Sequence, residues 1–175
     1  MEHPIHSAFA GFDYLGKATR FAHEIHEVID RSSLFEEFSF QEFEALCDYM
    51  ICYTAPRHGV LIREGDIGDF LVILLTGKVD VVKDASDGST KFIAVVGPGA
   101  SLGEMSLIDG QARFATCIST EPVDFAVLDR KALNAVLAAH PRLGNKLLLL
   151  LLQLMAKRLR DSSERLLPHI GSSVV

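Results

Sequence analysis

Cysteine is scarce in this 175-residue chain and basic charge is in deficit. The three cysteines, Cys47, Cys52 and Cys117, are odd in number and show no metal-ligand pairing. Reduced thiols in a cytosolic compartment are the economical reading. Four-cysteine iron–sulfur ligation is one ligand short. With 17 Lys and Arg against 23 Asp and Glu, the net charge is −6, which disfavours nucleic acid as a direct partner because phosphate-backbone binding needs a clustered basic surface. No signal peptide is visible, and the longest apolar run, Leu147 to Leu152, falls well short of the roughly 18 residues of a membrane span. Disorder is not expected either, since 49% hydrophobic and 23% charged residues are ordinary globular usage for one domain.

What is present changes period twice. Met1 to Gly16 shows no clear periodicity and is expected to be partly disordered. From Lys17 to Arg31, Phe21, Ile25, Val28 and Ile29 fall at helical spacing. Ser39 and Glu42 form a capping box for a second helix with Phe40, Phe43, Leu46, Cys47 and Met50 on one face. His23 and His26 lie side by side on the first helix, but without a third ligand they read as a solvated face rather than a zinc site. Between Ile51 and Asp129 the pattern becomes short β-branched and aromatic runs broken by turn residues. Eight strands are predicted: Ile51–Thr54, Val60–Arg63, Phe70–Thr76, Lys78–Lys83, Lys91–Val96, Ser101–Leu102, Phe114–Ser119 and Val123–Leu128. Helix returns at Arg130 to Ala139 and, after the His140-Pro141 break, from Pro141 to about Leu167.

The stretch from Gly97 to Thr116 carries the chemistry. Gly103 permits a close backbone turn, Glu104 starts a short Met-Ser-Leu-Ile run able to make one helical turn, and Arg113 follows the Gly110 turn. Unpaired N–H groups and a two-pronged cation suit an anion. A carboxylate beside them suits the hydroxyls of a sugar. The constellation therefore asks for a ligand with one phosphate next to a ribose.

Gly103-Glu104-Met105-Ser106-Leu107, followed nine positions after the glutamate by Arg113 in Ala112-Arg113-Phe114-Ala115-Thr116, resembles the phosphate-binding cassette of cyclic nucleotide-binding domains. The stretch Gly59 to Val79 resembles the glycine-punctuated strands that begin this domain's β-roll. Met155-Ala156-Lys157-Arg158-Leu159 with Ser162-Ser163-Glu164 is similar to the long helix of catabolite activators. Together these cover about residues 30 to 166.

The resemblance implies a mainly β fold, an eight-stranded, jelly-roll-like β-roll with two N-terminal helices and a long C-terminal helix. The expected organisation is an N-terminal segment over 1–16, the cyclic nucleotide-binding domain over 17–167 with the roll at about 51–129, and a tail over 168–175. It implies that Arg113 pairs with the phosphate, helped by backbone N–H groups around Ser106 and Phe114, and that Glu104 with Gly103 holds the ribose 2′-hydroxyl. Met105, Ala115 and Thr116 complete the cassette, and Ser162 and Ser163 match the Thr-Ser pair that reads the purine. Phe114 stands where relatives often have Ala, Ser or Thr, so a hydroxyl toward phosphate or guanine is missing and cGMP is disfavoured. The expected ligand is cAMP, with no cofactor and no metal.

Leu143, Leu147, Leu150 and Leu154 form one apolar stripe of the last helix, and Leu148, Leu151, Leu152, Met155 and Leu159 another. Two stripes imply two partners, the roll and either a second chain or the N-terminal helix; a homodimer is the expectation. Past Arg160 no room is left for a helix-turn-helix domain, so direct DNA binding is not expected, and the downstream effector is unspecified. Two other classes compete with a cytoplasmic cyclic nucleotide receptor. A degenerate roll acting as a dimerising scaffold is opposed by the intact Gly103, Glu104 and Arg113. A cupin-like metal enzyme needs an inward histidine pair, and His58 is the lone histidine of the β region.

Overall fold

A computed structural model of the chain describes residues 5–30 and 38–170. Residues 1–4, Arg31 at the end of the first predicted helix, and the tail from 171 lie outside the described residues. The period-two region folds into two antiparallel sheets. One has the order β1 (Asp13–Lys17), β2 (Ile51–Ala55), β9 (Val123–Asp129), β4 (Phe70–Leu74), β7 (Ser101–Leu102). The other has the order β3 (Val60–Ile62), β8 (Thr116–Ser119), β5 (Val79–Asp84), β6 (Thr90–Val96). The fold is the predicted β-roll, with each predicted strand found to within two residues at either end and a ninth strand added.

That ninth strand, β1, lies where no periodicity was visible. It pairs antiparallel with β2, with a register shift between Tyr14 and Gly16, and its side chains are mostly exposed, so alternation is weak. Just before it, the four-residue helix α1 (Ile5–Ala8) leads to Phe9, which is 2% exposed. Its ring lies 5.0–5.3 Å from those of Phe70, Tyr53 and Phe125, in the core between the two sheets. The segment expected to be partly disordered therefore contributes both a strand and a core side chain.

The central strands of the first sheet, β4 and β9, are buried on both faces, which explains why they read as continuous apolar runs. Along β4, Phe70, Val72 and Leu74 enter the core of the roll, whereas Leu71 and Ile73 face a second core built with the helices. That second core receives Ile25 and Ile29 of α2 (Ala22–Asp30), which follows a 3-10 turn at Ala18–Phe21, and Phe43, Leu46 and Cys47 of α3 (Phe40–Cys47). It also receives Leu133 and Val136 of α5 (Arg130–Ala139), and Leu143, Leu147, Leu150 and Leu151 of α6 (Pro141–Ile170). The Ser39–Glu42 capping box forms as predicted, and Glu42 Oε2 additionally accepts from Lys146 Nζ at 2.7 Å, tying α3 to α6.

His23 and His26 pack on Phe40, with ring centroids 4.5 and 5.3 Å away. All three cysteines are buried and free, and burial pushes each thiol up to about 12. No helix is long and apolar enough to cross a membrane among the described residues.

If the N-terminal segment belongs to the roll, Phe9→Ala removes a fully buried ring and costs ~3–5 kcal/mol of unfolding free energy in urea titration. A loss below ~1 kcal/mol would show that the segment rests on the roll without supporting it.

Candidate functional site

The cassette is shaped by one arginine. Gly103, with φ 82°, caps α4 (Glu104–Asp109), and α4 ends at Gly110, φ 70°. The chain then runs through the Ile67–Ala112 bridge, where Arg113 N donates to Asp66 O at 2.9 Å and Gly65 N donates to Arg113 O at 2.9 Å. Arg113 is thus fixed by its backbone before its side chain makes any contact. The guanidinium donates through Nη1 to Gly103 O and through Nη2 to Phe70 O, both at 2.8 Å, and lies 4.2 Å from the Phe70 ring centroid. A Cβ on Gly103 would stand 2.5 Å from Nη1, and one on Gly68 2.6 Å from Nε and Nη2. Both positions must be glycine because the guanidinium occupies that space.

Arg113 is 4% exposed and Glu104 0%. Burial pulls the guanidinium below its usual value and pushes the Glu104 carboxyl above the usual carboxylate range, opposed first by Arg158, then by the residue's own backbone N–H, and last by Arg113. Arg158, from α6, places Nε 2.7 Å from Glu104 Oε1, while its Nη2 donates to Ser101 O at 2.7 Å. The Arg158–Glu104 approach is an ion pair without hydrogen-bond alignment. Both Glu104 oxygens and Ser101 Oγ are the buried side-chain polar atoms lacking a hydrogen-bond partner among the described residues. Oε1 keeps the ion-pair contact, so Oε2 and Ser101 Oγ are the atoms left without a polar partner, a costly condition in a buried position.

These groups line one cavity of about 810 Å³ between the cassette, strands β5 and β6, and α6. Of the predicted site residues, Gly103, Glu104, Met105, Ser106, Arg113, Phe114, Ala115 and Ser162 line it. Thr116 and Ser163 are not brought to it among the described residues. Thr116 Oγ1 accepts from Glu64 N at 3.0 Å, a strand-tethering bond, and Ser163 Oγ donates back to Leu159 O at 2.8 Å on its own helix. Ser106 O accepts from Arg130 Nη2 at 3.0 Å, so Arg130 braces α4. The sequence reading missed Arg158 and Ser101. Arg158 stands four residues before Ser162 in the quoted helix motif, and that spacing alone put it on the same helix face.

The family model of the cyclic nucleotide-binding domain matches residues 54–140. A crystal structure of a cyclic nucleotide-binding domain from Methylobacillus flagellatus KT is 45% identical, with TM-score 0.86, covering 97% of this chain and 96% of that one. The CRP-like cAMP-activated global transcriptional regulator of Mycobacterium tuberculosis H37Rv is 28% identical over 148 residues, 85% of this chain and 64% of the regulator, so the chain spans less than two thirds of that relative's length. The regulatory domain of Toxoplasma gondii PKA, solved with cAMP, superposes with TM-score 0.60 at 29% identity, covering 67% of this chain and 44% of that one. Cassette, roll and relatives agree: the chain belongs to the cyclic nucleotide-binding domain family.

Proposed function

We propose that the protein is a receptor for a cyclic purine mononucleotide, cAMP in preference to cGMP, and that it reports occupancy through α6. The observation that carries this reading is the Glu104 carboxylate, fully buried with no hydrogen bond to either oxygen and facing a cavity walled by Arg113. A ribose 2′-hydroxyl supplies the missing donor. The exocyclic oxygens of the cyclic phosphate supply the charge that Arg113 pairs with through the N–H donors not held by Gly103 O and Phe70 O. The cAMP preference draws on Phe114, which offers guanine no hydroxyl, and on the cAMP named for the mycobacterial and Toxoplasma relatives. Binding rather than catalysis is the proposed role.

The relay follows from Arg158. The residue that pairs with Glu104 belongs to the same helix as Ser162, so a nucleotide engaging the carboxylate alters a contact that seats α6. A ligand shifts α6 only by its difference in affinity for the two seats. The predicted second stripe is corrected in one place, since Leu151 is buried in the helical core while Leu149 is exposed; the outer face so defined supports the homodimer, with Leu149 56%, Leu152 61% and Leu159 69% exposed, a face that a second α6 can cover. We place the receptor in the cytoplasm, where its buried thiols stay reduced. The −6 charge favours a protein effector over direct contact with DNA.

Arg113→Ala is expected to weaken cAMP roughly ten- to hundredfold in calorimetric titration, the loss of a charged hydrogen-bond donor. Parental affinity in that variant would contradict the assignment. In hydrogen exchange, cAMP is expected to protect amides from Leu154 to Leu166 more than those of the distant hairpin tip at Asp84 to Ser89. Protection of Leu148 to Leu152 that rises with protein concentration reports the dimer. Equal cAMP protection of helix and hairpin would show α6 to be a passive support.

A further inference from the structure

Phe114 is the aromatic ring among the residues lining the cavity, and it directly follows the phosphate-pairing Arg113. It is 55% exposed, while Val81, Ile93 and Ala94, which line the same cavity, are aliphatic. The ring is not loose. Lys83 Nζ donates to Phe114 O at 2.7 Å and sits 4.2 Å from the ring centroid. Lys83 is itself held by Glu64 Oε1 at 2.7 Å, and Glu64 Oε2 accepts from Asp84 N at 2.9 Å. A lysine that grips both the carbonyl and one face of a half-exposed ring keeps the other face presented to whatever enters.

We infer that Phe114 is the platform on which the nucleotide base stacks and that Lys83 is the residue that positions it, an inference that rests on the binding function proposed above. A phenyl ring has no hydrogen-bonding edge, so it selects by π-surface rather than by base pattern. It discriminates purine from pyrimidine, and bears on adenine against guanine only by offering guanine no hydroxyl. The position that elsewhere offers a small side chain or a hydroxyl offers here a flat apolar surface, which changes what the receptor measures from edge to area.

The test is to titrate the parent, Phe114→Ala, Phe114→Tyr and Lys83→Met with cAMP and with the 3′,5′-cyclic phosphate of uridine. Phe114→Ala is expected to weaken cAMP roughly five- to hundredfold and the uridine compound less, narrowing the purine preference, while Phe114→Tyr retains it. Lys83→Met is expected to weaken cAMP roughly two- to fivefold. The chain contains no tryptophan, so the fluorescence of a 2-aminopurine riboside cyclic phosphate reads stacking without background: it is quenched on binding to the parent and much less in Phe114→Ala. An unchanged cAMP affinity in Phe114→Ala overturns the inference while leaving the proposed function standing. So does an equal loss for both nucleotides with the quench retained. A parent protein that binds neither nucleotide overturns the function and the inference together.

Discussion

Two opposite charges, Glu104 and Arg113, are buried beside one cavity, and the local structure is arranged around the cost of putting them there. An unpaired buried ion is expensive unless it is hydrogen-bonded or matched. Arg113 meets that cost with two backbone carbonyls and an aromatic face, made accessible by two glycines. Glu104 meets it only in part, through an unaligned ion pair with a half-exposed arginine from another element. The asymmetry is informative. The cation is anchored by protein carbonyls and the anion is short of donors, which is the condition in which a sugar hydroxyl gains most.

The same arrangement explains why α6 is where it is. Its inner stripe, Leu143, Leu147, Leu150 and Leu151, packs on the helical core against the first sheet, and its polar continuation carries Arg158 over the cassette. Packing sets the helix's direction, and one ion pair at its far half links that direction to the pocket. A core contact lies away from the cavity, whereas the Arg158–Glu104 contact lies on its wall, which is why the proposed relay runs through it.

Much of the fold was legible because alternation and helical period change sharply at Ile51 and Arg130, and because a strand buried on both faces still reads as a short apolar run bounded by turns. The strand at Asp13–Lys17 was not legible: it is an exposed edge strand whose residues do not alternate, and the burial of Phe9 depends on rings more than forty residues away. In the site, Gly103, Glu104 and Arg113 were legible from local spacing. The role of Gly68, next to the Arg113 guanidinium, was not, nor was Arg158, because both rest on contacts between segments distant in sequence. Ser163 matched the helix motif, yet its hydroxyl bonds its own helix one turn back, and a motif carries no rotamer.

The central claim is that the orphaned Glu104 carboxylate is completed by a ribose 2′-hydroxyl. Calorimetric titration of the parent and Glu104→Ala with cAMP and with 2′-deoxy-cAMP tests it most directly. The account predicts that the parent binds cAMP roughly tenfold or more tightly than the deoxy compound, as for a hydrogen bond to a charged group, and that Glu104→Ala binds the two nearly alike. Equal affinity of the parent for both nucleotides, or a preference that survives in Glu104→Ala, would contradict it.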